Sequence, residues 1–179
     1  LGTIGASLYL LGVGYLYIKT GTLNMVGIRE VIETHGLADS PTMQVAFVLI
    51  GVGILIKMAF FPFHAWLPHA YCNAPTTTAC LLAPVVPKVM IYVMIRMILS
   101  VFGVEFSFES TIWVSWMPWL VVIAIVFAAF LALSQREIKR MLAYLIVAEV
   151  GYMVGGVWIY NYYGLIGSIF HIISDACMT

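Results

Sequence analysis

Residues 57–88 read KMAFFPFHAWLPHAYCNAPTTTACLLAPVVPK, a lysine at each end of a stretch that holds no other Lys, Arg, Asp or Glu. Apolar sequence continues outward on both sides. From about Thr42 to Phe63 only Lys57 interrupts it, and from about Thr76 to Phe102 only Lys88 and Arg96 do. A membrane span needs about 20 mainly apolar residues. A barrel strand would alternate over about ten residues, which these runs do not do. In lipid every backbone polar group must be satisfied within its own segment, so the runs are helices. Four more follow the same rule: Leu1 to about Ile18, Thr111 to Ser134, Met141 to about Tyr160, and Tyr163 to the end at Thr179. The expected fold is all-α, a polytopic transmembrane helical bundle of about six spans.

Composition leads to the same place. Hydrophobic residues make up 63% of the 179 and charged residues 9%, against about 25% charged in soluble domains. Zero net charge gives no basic footprint for nucleic acid. Cys72, Cys80 and Cys177 form no CxxC pair and read as free thiols. His64, His69 and Cys72 are metal-ligand types without zinc spacing. No GxGxxG, P-loop, CxxCH or nucleophile elbow occurs, so neither metal nor cofactor is expected. The chain starts and stops inside apolar runs, as a fragment of a longer protein would.

The loops carry a charge asymmetry. Arg136, Lys139 and Arg140 outweigh Glu137 in one, and Glu105 and Glu109 stand without a base in another. The positive-inside rule puts the first loop, and by parity the one around His64 to Pro75, on the cytoplasmic side. The loop from Lys19 to Pro41, with Asp39, then lies outside, and Asn24 to His35 could form a short interfacial helix capped by Asn24.

Prolines fall beside the buried lysines. Pro62 denies an N–H to the carbonyl of Met58, and Pro84 and Pro87 deny theirs to Cys80 and Ala83. Helix breaks are expected at all three. An ionisable group deep in a membrane costs about 2.5–3.5 kcal/mol on insertion scales and marks a functional position. Lys57, Lys88, Glu149, His171 and Asp175 are the candidate proton-translocation residues, with His64, Arg96, Lys139 and Arg140 in support. The bland alternatives are an interface anchor for Arg96 and an interhelical hydrogen bond for His171. Lys88, Tyr92 and Arg96 form one stripe, and Ser168, His171, Asp175 and Thr179 another. His171 and Asp175, one turn apart, are expected to titrate as a pair. Lysine suits a relay because burial favours its neutral form and a nearby acid its charged one.

These residues carry a resemblance. Residues 57–88 resemble the pattern FPLHxWLPDAHxxAPTPVSALL, preceded by a lysine and followed by a lysine or histidine, of the antiporter-like subunits of respiratory complex I and of the D- and A-type subunits of Mrp sodium/proton antiporters. SQREIKRMLAYLIVAEVGYM (134–153) is similar to their QTDLKRLLAYSSISxxGYM, and GSIFHIISDACMT (167–179) to FHLxxHAxFK. TGTLNM (20–25) resembles the Mrp D-type branch and membrane-bound hydrogenase relatives. The resemblance implies helices 6–11 of a fourteen-helix inverted-repeat subunit. The first repeat would end within 1–102, the second would begin at 111–179, and the discontinuous helix would lie near Pro62. Lys57 would match the central proton-carrying lysine and Lys88 the connecting one. Implied too are partner membrane subunits, protons or protons with sodium as cargo, and a prokaryotic cytoplasmic membrane. His69, Glu149, Asp175 and Thr179 depart from the family pattern. Two rivals are a stand-alone secondary transporter, which needs a substrate-sized polar cavity, and a quinone-binding redox subunit, which needs a redox ligand motif.

Overall fold

A computed structural model describes residues 1–37, 40–108 and 113–178, and among them all regular structure is helical. In chain order the helices are α1 (Gly2–Thr20), α2 (Met25–His35), α3 (Pro41–Lys57), α4 (Trp66–Asn73), α5 (Thr76–Arg96), α6 (Val104–Phe108), α7 (Trp113–Leu133), α8 (Ile138–Trp158) and α9 (Tyr162–Met178). Each of the six expected segments corresponds to one of them. Three stretches are long and apolar enough to cross a membrane by length and composition, Thr76–Phe102, Ser115–Leu133 and Ile138–Trp158, and α3 is a shorter apolar helix. At 1.5 Å per residue, a 21-residue helix reaches about 31 Å, close to the hydrocarbon thickness. Asp39, Glu109 and Thr179 lie outside the described residues.

The chain divides into two compact units. In the first, residues 1–57 and 92–114, α1 and α3 approach at glycines. A Cβ on Gly53 would sit 2.7 Å from the Gly5 carbonyl oxygen, and one on Gly12 would sit 2.6 Å from the Ile50 side chain. Small residues let helix backbones close in where lipid removes the hydrophobic drive to associate. The expected interfacial helix is α2: the Asn24 side chain accepts from the Val26 N–H at 3.2 Å, and Ile28 and Ile32 bury one face. Beyond Arg96 the backbone widens into a π-helical turn, Met97–Phe102. Phe102 and Phe106 there pack edge-on against Phe47, at 4.9 and 5.6 Å.

The second unit holds residues 58–91 and 115–179. Leu67, Tyr71, Ala83, Ala128, Ala143 and Val147 form its apolar cluster. Lys139 donates to the Ala74 carbonyl at 2.6 Å, so its charge sits at the C-terminal end of α4, where a cation is favoured. That contact puts the basic segment and the end of α4 at one end of the unit. Lys139 and Arg140 stand in the first turn of α8 rather than in the preceding loop.

Only one of the three expected proline breaks is present. Helix α3 stops at Lys57, residues 58–62 are not helical, and a 3₁₀ turn at Phe63–Ala65 leads into α4. Ala59 sits at φ 57, a left-handed value that costs an L-residue roughly 1–2 kcal/mol. The break begins just past Lys57, as expected, and extends over residues 58–62 up to the proline. At Pro84 and Pro87 the expectation is corrected: α5 runs through both without interruption. Each proline removes a single N–H, and the flanking hydrogen bonds of a 21-residue helix hold it together.

Candidate functional site

The site is built on the hairpin of α8 and α9. Its two helices meet at Gly156 and Gly164: a Cβ on Gly156 would stand 2.8 Å from the Gly164 carbonyl oxygen and would overlap the Ser168 hydroxyl. Ser168, itself buried, donates to the Met153 carbonyl at 2.9 Å. One turn along, the rings of Tyr152 and His171 pack edge-on at 6.2 Å. The same antiparallel register then brings Glu149 beside Asp175, where two carboxylates would repel one another.

Lys88 of α5 meets this pair. Its Nζ lies 2.9 Å from Asp175 Oδ2, with side-chain exposures of 6% and 2%. Desolvating such ions costs several kcal/mol each, and their mutual attraction in the buried site offsets part of that cost. The same Nζ donates to the Ala83 carbonyl at 3.3 Å, the carbonyl that Pro87 leaves without an N–H. One ammonium and two carboxyls on three helices form a group that can redistribute a proton without any covalent step. Glu149 is half-buried and is the member through which such a proton could exchange.

The remaining candidates fall elsewhere. Lys57 is the last residue of α3 and is exposed. It belongs to the first compact unit and Lys88 to the second. Arg96 ends α5 exposed, and Arg140 is half-buried in the first turn of α8. His64 is buried between aromatics, stacked on Phe61 at 5.5 Å and 6.1 Å from Tyr144, whereas His69 is exposed. His171 and Asp175 share a helix, yet the ring of one is set against Tyr152 while the carboxylate of the other meets Lys88. Sequence reasoning missed Tyr152 and the Ser168 contact with Met153. The signal for the latter was the spacing of Gly156, Gly164 and Ser168.

This packing makes a prediction. Gly156→Ala is expected to force α8 and α9 apart and to destabilise the protein by about 1–3 kcal/mol, the usual range for overpacking. Gly167→Ala, with open space around it, should be neutral or stabilising by up to about 1 kcal/mol. Thermal unfolding midpoints of the full-length protein in detergent compare them. Equal midpoints would show that the glycine contact does not set the hairpin.

Known proteins share this architecture. The family model described as NADH:quinone oxidoreductase/Mrp antiporter, transmembrane, matches residues 1–179. NADH-quinone oxidoreductase subunit N of Desulforudis audaxviator is 40% identical over 176 residues, 98% of this chain and 34% of that relative. NADH-quinone oxidoreductase subunit M of Rickettsia prowazekii is 34% identical over 175 residues, 98% of this chain and 34% of the relative. The structure of the Mrp complex from Dietzia sp. DQ12-45-1b superposes with a TM-score of 0.86 over 98% of this chain and 31% of that one, at 22% identity, which speaks for the fold alone. The chain spans about a third of the length of these relatives.

Proposed function

Since the chain belongs to the NADH:quinone oxidoreductase/Mrp antiporter membrane family, we propose that it moves protons across a membrane as an antiporter-like subunit of a multisubunit complex. The observation that carries this reading is the buried Lys88–Asp175 ion pair with Glu149 against it. Lys88 holds the proton in transit, Asp175 holds Lys88 charged, and Glu149 exchanges a proton with Asp175. Protonation of Asp175 weakens its hold on the ammonium, and its deprotonation restores it. Lys57, at the break after α3, is the preceding carrier, and His171, one turn before Asp175 on α9, is a lateral exchange group. Residues 1–102 and 111–179 would then belong to the end of one inverted repeat and the start of the next. Named relatives are subunits of NADH-quinone oxidoreductase, which supports membrane subunits as partners. Their bacterial sources support a prokaryotic cytoplasmic membrane. Sodium is the alternative cargo, and lysine, which exchanges protons rather than binding metal cations, favours the proton.

The test is ion movement by the full-length subunit assembled in its complex in liposomes. A pH dye and a sodium dye are followed in parallel under the complex's own driving reaction. Proton uptake independent of sodium is expected. Uptake of an organic solute with no net ion movement would replace this reading with a solute carrier.

A further inference from the structure

We propose that Pro87 is a positioning residue for Lys88: it leaves the buried Ala83 carbonyl open as a second acceptor for the ammonium. This rests on the proton-carrying role of Lys88 proposed above. In an uninterrupted α-helix the N–H of residue 87 would bond the carbonyl of residue 83. Pro87 has no N–H to give, and α5 nevertheless stays helical through it. Ala83 is buried within the apolar cluster, so water does not take the vacated acceptor's place cheaply. Long side chains on a helix run back toward its N-terminus. That direction carries Lys88 Nζ to 3.3 Å from the Ala83 oxygen while it also meets Asp175.

Pro84 supplies the contrast. It frees the carbonyl of Cys80, an exposed residue, and α5 tolerates it equally. Two prolines of one helix thus make the same backbone change, and only Pro87 makes it where a buried lysine uses it. The consequence concerns the moment when Asp175 takes up a proton. An ammonium has three donors and no acceptor of its own. With Asp175 neutral, Glu149 of α8 still faces the group and the Ala83 oxygen stays within reach of the ammonium, so Lys88 keeps its proton through the step. Without that oxygen the buried ammonium loses one acceptor and sheds the proton earlier.

The experiment uses the full-length subunit in its complex, with proton uptake measured across pH. Pro87→Ala returns an N–H to Ala83 and favours the helix, so the change does not threaten folding. Pro87→Gly returns the same N–H with less helix propensity and serves if alanine perturbs assembly. Both are expected to move the alkaline limb of the transport profile down by about one pH unit, equivalent to about 1.4 kcal/mol. Pro84→Ala should leave the limb in place. A wild-type profile for Pro87→Ala, or an equal shift from Pro84→Ala, would overturn the inference while leaving the function intact. Normal transport by Lys88→Ala would instead remove the function on which it rests.

Discussion

Lys88→Ala in the full-length protein is expected to abolish proton transport and to lower stability by about 3–5 kcal/mol, because it strands the Asp175 carboxylate in a buried site. The two losses have different causes and can be separated. Replacing both partners by apolar residues of similar size, Lys88→Met with Asp175→Leu, removes the stranded charge along with the pair. Such exchanges of a buried ion pair are often neutral or stabilising. The double variant should therefore recover most of the unfolding midpoint lost by Lys88→Ala and none of the transport. Lys88→His should keep part of the transport, since imidazole can still take up and release a proton. Thermal unfolding and proton uptake on the same preparations decide the matter. Transport by the double variant would mean that the pair is a structural clamp and that protons travel by another route.

The six helical segments were legible because lipid imposes one rule on all of them: length, apolarity and internal hydrogen bonding. Lys88, Glu149 and Asp175 were legible for a related reason, as charges where charges are costly. What could not be read was who meets whom. Asp175 lies four residues from His171 and 87 from Lys88, and one-turn spacing pointed to the histidine. The pairing with Lys88 depends on how α5 meets the α8–α9 hairpin, and the register of that hairpin depends on Gly156, Gly164 and Ser168. Helical periodicity gives the face of each residue on its own helix but not the depth at which a neighbouring helix presents its partner. The prolines show a second limit. The loss of a hydrogen bond follows from sequence, and so does the identity of the orphaned carbonyl. Its fate does not: the chain breaks ahead of Pro62 and runs straight through Pro84 and Pro87.

Lys57→Ala is expected to stop transport with little effect on folding, the reverse of the balance at Lys88. The residue ends α3 and is exposed, and substitutions at such positions usually stay within about 0.5 kcal/mol. It stands in the last turn of α3, whose final carbonyls have no N–H from a following turn to pair with. A cation there gains typically 0.3–1 kcal/mol. Arginine separates charge from exchange. Lys57→Arg keeps the cation at the helix end and should keep the stability, yet it should transport no better than alanine, because a guanidinium does not release its proton at workable pH. Proton uptake by the two full-length variants, each checked for assembly and unfolding midpoint, makes the comparison. If arginine supported transport and alanine did not, the role of Lys57 would be a fixed positive charge that steers protons without carrying them. If both transported normally, the break after α3 would serve the fold alone.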